Sequence, residues 1–89
     1  MPQAEAEIVN KLGLHARASA KLTQLAGGFP CEVWMERGNR RINAKSIMGV
    51  MMLAAGKGTT VKVDTEGERA EEALQAILQL IAERFGEAE

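Results

Sequence analysis

An internal disulfide is excluded at once, because the chain holds one cysteine, Cys31, and a bridge needs two. A lone thiol fits a reducing, cytoplasmic setting. Tyrosine is absent, with one tryptophan and two phenylalanines, so stacking platforms for single-stranded nucleic acid are scarce. No apolar run approaches the roughly 18 residues that a membrane span needs. The start, "MPQAEAEIVNKLG", has acids where a secretory signal has a basic start and an apolar stretch. One histidine and one cysteine do not make a four-ligand metal site, and no cofactor is expected. A serine or cysteine triad would have to use His15 as its base, since there is no second histidine. "GKGTT" resembles a phosphate-binding P-loop but fails the pattern, with Met51 where glycine and Gly58 where serine or threonine is needed.

What remains is an ordinary globular composition, 46 % hydrophobic and 26 % charged over 89 residues. It predicts one domain spanning residues 1–89 with a modest core. The net charge of −1 hides an asymmetry. From Met1 to Lys62, nine Lys and Arg face four Asp and Glu; from Val63 to Glu89, two face eight. The first part is basic and the tail acidic, and a basic half suits phosphate or an acidic protein face.

Ala4 to Asn10 reads as a strand with one wet face, alternating up to Ile8. Ala16 to Ala26 is rich in helix formers, with a core stripe of Ala18, Leu22, Leu25 and Phe29. Gly27 or Gly28 ends it. Cys31 to Glu36 alternates as a half-buried strand, and a Gly38-Asn39 turn leads to a short return strand. Ser46 to Ala55 is a short helix and Thr59 to Asp64 another strand. The last helix runs from around Glu68 to Phe85, with Thr65 and Glu68 able to form a capping box, or Gly67 as the cap. The order β-α-β-β-α-β-α predicts an α+β two-layer sandwich, an antiparallel sheet with one face under helices.

The only histidine lies in "GLHARAS", just before the first helix. Free backbone N–H groups and the positive dipole end bind anions there, phosphate in particular. A neutral imidazole nitrogen is a nucleophile near neutral pH. Arg17 offers fixed donors to phosphoryl oxygens. The pattern suggests a histidine that accepts and releases a phosphoryl group, set against the commoner exposed neighbour of a helix cap.

In "SIMGVMML", Val50 and Leu53 are placed to point inward, which leaves Ile47, Met48 and Met51 near solvent. Exposed apolar clusters mark binding surfaces, and methionines repack to fit several partners; the competing reading makes them core filler. Arg17, Ala20, Gln24 and Gly27 recur on one flat face of the first helix. Side by side, the two helices would make one contact surface with His15. Ser46 precedes its helix as a cap, and a phosphate on it would add negative charge beside that surface.

The segments "NKLGLHARAS" and "NAKSIMGVMMLAAGKGTTV" are similar to the HPr family, the histidine phosphocarriers of the bacterial phosphoenolpyruvate-dependent phosphotransferase system. The resemblance runs from about Ile8 to the last helix. It implies an open-faced β-sandwich, four antiparallel strands covered on one face by three helices. It implies that His15 takes a phosphoryl group through Nδ1 from phospho-enzyme I and passes it to IIA proteins, with Arg17 contacting phosphate. Ser46 matches the serine modified by HPr kinase/phosphorylase, where that enzyme exists. Ala20, Gln24, Gly27, Ile47, Met48 and Met51 fall on the family's docking helices. The family motif usually has proline after the arginine; here Ala18 restores a backbone N–H in the first turn. Two rival readings are a regulatory binding protein controlled through Ser46 and a nitrogen-branch phosphocarrier. A third, a nucleic-acid module using Arg37, Arg40 and Arg41, is disfavoured by the lack of aromatics. Neither nucleic acid nor membrane insertion is expected, and a carrier with several partners is most simply a monomer.

Overall fold

The computed structural model describes residues 2–89. Strand β1 (Gln3–Glu7) leads to helix α1 (Ala16–Gly27), then β2 (Glu32–Arg37), β3 (Arg40–Asn43), helix α2 (Ile47–Met52), β4 (Thr60–Glu66) and helix α3 (Ala70–Ala82). A 3-10 turn, Arg84–Gly86, follows α3. The sheet order is β1-β4-β2-β3, antiparallel throughout. The helices cover one face, giving the open-faced β-sandwich.

Alternation sets the two faces of the sheet. Val33 and Met35 of β2 and Val61, Val63 and Thr65 of β4 are buried under the helices. Trp34, Glu36, Lys62 and Asp64 take the opposite face. There Arg41 donates to both Asp64 oxygens, at 2.7 and 2.9 Å, and its guanidinium lies 5.2 Å from the Trp34 ring centroid. The β2–β3 turn has Gly38 at φ 61° opposite the Arg37–Arg40 pair, as a two-residue hairpin needs a positive first φ.

Helix α1 buries Ala18, Ser19, Leu22 and Ala26. Leu25 and Phe29 are only half-buried, so the predicted stripe is turned by about one position. Ser19 faces inward and its hydroxyl donates to the Leu14 carbonyl. Fully burying a side chain such as Leu22 contributes about 1.5–3 kcal/mol.

Helix α3 is shorter than its apolar spacing predicts. Thr65 remains in β4, paired with Val33, and its hydroxyl donates to the Ala70 carbonyl, so no capping box forms. Arg69, in the left-handed region, precedes the helix instead. At the other end Arg84 and Phe85 adopt positive φ. That turn drops the Phe85 ring into the core, fully buried, at a position an unbroken helix would also have aimed inward.

Candidate functional site

His15 is itself the residue that caps α1. Its Nδ1 accepts the Arg17 backbone N–H at 3.3 Å, while its carbonyl accepts from Ser19 at 2.8 Å. The ring thus occupies the position where a serine or aspartate usually satisfies a free first-turn donor. The loop before it is fixed by Gly13, at φ 65°. A side chain there would meet the Ala55 carbonyl oxygen at 2.5 Å and the Gly56 Cα at 2.7 Å. Leu14 donates to the Ala55 carbonyl at 2.9 Å. Glycine therefore lets the His15 loop lie directly on the chain that leaves α2.

The second imidazole nitrogen, Nε2, lies 2.6 Å from a carboxylate oxygen of Glu87. Asn10, fully buried, donates from Nδ2 to the other Glu87 oxygen at 3.1 Å and to the Gly13 carbonyl at 2.8 Å. Hydrogen bonds from His15 and then Asn10 hold the Glu87 carboxyl below its usual range. The tail is tied down at both ends of this contact. Lys21 Nζ donates to the Phe85 carbonyl at 2.6 Å, and the Lys11 N–H to the Glu89 carbonyl at 2.9 Å. Between tail and helix start lies an open cleft of about 530 Å³, lined by His15, Ala16, Arg17, Lys11, Leu12 and residues 87–89. The His15 side chain is 27 % exposed, so one edge of the ring reaches solvent.

Arg17 is exposed on the same cleft. Ala20, Gln24 and Gly27 are exposed along α1, which packs beside α2. On α2, Val50 and the following Leu53 are buried, while Ile47, Met48 and Met51 are exposed. Met52 and Leu12 are also exposed, at 57 % and 65 %. Ser46 is exposed, and its hydroxyl accepts the Gly49 N–H at 3.1 Å as the cap of α2.

The three arginines of the nucleic-acid reading have internal partners. Arg37 donates to the Leu53 and Ala54 carbonyls, and Arg40 to that of Met52, so both cap the carbonyl end of α2. Arg41 is taken by Asp64.

Sequence reasoning missed Glu87, Asn10, Leu12 and Met52. Leu12 carried a signal, an apolar residue in a turn. Glu87 carried none, since it meets His15 across 72 positions.

Fold and histidine together define a small α+β protein with its one imidazole built into a helix start. The family model for the PTS HPr component phosphorylation site matches residues 2–83. The phosphocarrier protein HPr of Cupriavidus necator is 63 % identical over 89 residues, covering 100 % of both chains. The phosphocarrier protein NPr of Shewanella violacea is 43 % identical over 81 residues, 91 % of this chain and 89 % of that one. Among solved structures, HPr-C-His from Thermoanaerobacter tengcongensis superposes with a TM-score of 0.96 at 45 % identity, covering 100 % of both. The chain belongs to the HPr family, the phosphocarriers of the phosphotransferase system. The matched span ends before the tail that carries Glu87.

Proposed function

We propose that this chain is a cytoplasmic, monomeric carrier that accepts a phosphoryl group on His15 Nδ1 from phospho-enzyme I and passes it to IIA proteins. The observation that carries the reading is an imidazole that caps a helix through Nδ1, with its ring edge open to a cleft shared with Arg17. In acceptance, the Nδ1 lone pair forms the bond to phosphorus. The bond from phosphorus to the donor breaks, and its electron pair leaves with the donor. The arriving oxygens replace the imidazole as acceptors for the helix N-terminal N–H groups. Arg17 supplies further positive charge as the group transfers. Alignment comes from docking, for which Ala20, Gln24, Gly27, Ile47, Met48 and Met51 offer a low apolar surface beside the histidine.

Incubation with phosphoenolpyruvate and enzyme I should place an acid-labile phosphate on the chain, and His15→Ala should abolish it. Equal labelling of wild type and His15→Ala overturns the reading.

A second reading, regulation through Ser46, is favoured by its exposed hydroxyl next to Ile47 and Met48. A phosphate there would place charge against the apolar docking surface. HPr kinase/phosphorylase and ATP should then give an acid-stable label, lost in Ser46→Ala, that slows transfer from enzyme I. No label from the kinase removes this reading and leaves the carrier intact. The Shewanella violacea relative named NPr keeps a nitrogen branch among the destinations, and parallel transfer assays with IIA proteins of both branches separate the two.

A further inference from the structure

The two ring nitrogens of His15 face partners of opposite kind. The Arg17 backbone N–H can only donate, so Nδ1 opposite it must hold its lone pair. The Glu87 carboxylate can only accept, so Nε2 must carry the hydrogen. One neutral tautomer satisfies both partners at once. The imidazolium would satisfy Glu87 and lose the helix cap.

Glu87 is held in place by a chain of contacts. Asn10 bridges it to the Gly13 carbonyl, and both of those acceptors fix which way the Asn10 amide points. Asn10 is fully buried, and its Oδ1 has no hydrogen-bond partner among the described residues. A buried acceptor left unpaired is costly. What this side chain gains is the paired donation from Nδ2. The buried Phe85 ring and the Lys21 and Lys11 hydrogen bonds anchor the tail on either side.

Building on the carrier reading, we infer that Asn10 and Glu87 are positioning residues that lock His15 in the Nε2–H tautomer, so that Nδ1 is the nitrogen free to take and release a phosphoryl group. When Nδ1 bonds to phosphorus, the ring gains positive charge, and the Glu87 carboxylate offsets it across Nε2–H. On onward transfer the N–P electron pair returns to Nδ1. Because Nε2 keeps its proton, the leaving group is a neutral imidazole in place of the far poorer imidazolate.

The carboxamide variant gives the sharpest test. In Glu87→Gln, Asn10 still donates to the side-chain oxygen, which turns the new NH2 toward His15 and demands an acceptor at Nε2. Nitrogen-15 NMR of His15 at about pH 8.5, above the ordinary histidine range, should show the Nε2–H tautomer in the wild type. It should show a shift toward Nδ1–H in Glu87→Gln and a mixture in Glu87→Ala. Acceptance from enzyme I should fall at least roughly 10-fold in Glu87→Gln, since losing the hydrogen-bond partner that orients a histidine costs about 10–100-fold at metal sites and more where the wrong tautomer is imposed, and by less in Glu87→Ala. Both substitutions lie in the tail, and unchanged thermal unfolding would separate positioning from stability. An unchanged tautomer in both variants overturns the inference. So does a shifted tautomer with wild-type acceptance rates. If the wild type takes no label, the carrier reading fails on its own, and the NMR arm still reads the tautomer lock.

Discussion

Gly13 shows how much one residue decides. Its backbone is left-handed, and any Cβ would press into the Ala55 carbonyl and Gly56. Gly13→Ala should cost at least about 1–3 kcal/mol from backbone conformation alone, with the steric clash added. Urea unfolding measures that cost, and loss of phosphoryl acceptance should exceed what the unfolded fraction explains, because the His15 loop must lift off the α2 exit. Arg41 makes the contrast. It neutralises the nearly buried Asp64 on the open face of the sheet. Arg41→Ala should destabilise by about 1–2 kcal/mol, the low end for orphaning a buried carboxylate because the guanidinium itself is part-exposed. Transfer rates at His15 should not change. The placement of His15, Arg17 and Ser46 at helix starts was legible in the sequence, because helix starts are written locally. Asn10 and Glu87 were not, because a contact across 72 positions leaves no spacing to read.

At the scale of elements, α2 is six residues long and is held from outside. Ser46 satisfies an N–H at one end, while Arg37 and Arg40 from the β2–β3 hairpin take carbonyls at the other. Only Val50 within it is buried. A helix this short is not stable alone; the hairpin makes it a rigid platform that can present methionines to solvent. Met48, 66 % exposed, is the clearest test of that platform. Met48→Asp should leave stability within about 0.5 kcal/mol, as for ordinary surface changes. It should raise the KM for enzyme I about tenfold, the equivalent of ~1.4 kcal/mol of docking, while the phosphohistidine lifetime stays the same. Unchanged KM would remove Met48 from the proposed docking surface. The inward and outward sides of α2 could be read from spacing, and so could every strand to within a few residues. The end of α3 could not. Phe85 keeps the helical period, and only the positive φ values at Arg84 and Phe85 reveal that the chain has already turned.

Across the whole molecule, the acidic tail closes over the basic half that carries His15. Charge asymmetry was visible in composition, but where the tail would land was not, because folding back depends on Phe85 finding the core and Lys11 and Lys21 finding carbonyls. This closure has a pH signature. The Glu87 carboxyl is held below its usual range by its hydrogen bonds to His15 and Asn10. A carboxyl whose folded value is depressed contributes stability above its unfolded pKa and loses it as pH falls through the lowered folded value. Tail closure should therefore be intact at neutral pH and loosen below about pH 4, the ordinary glutamate range. Glu72, lowered by Arg69, weakens α3 in the same direction, but at an exposed site remote from the tail. Amide hydrogen exchange separates the two effects. As pH is lowered, and after correction for intrinsic exchange, the Lys11 N–H, which donates to the Glu89 carbonyl, should lose protection first. The β2 and β4 amides should keep theirs. In Glu87→Gln that early loss should vanish, leaving Lys11 equally protected or unprotected at every pH. If Lys11 instead loses protection together with the sheet, the tail is held by the core through Phe85, and Glu87 has no separate hold on it.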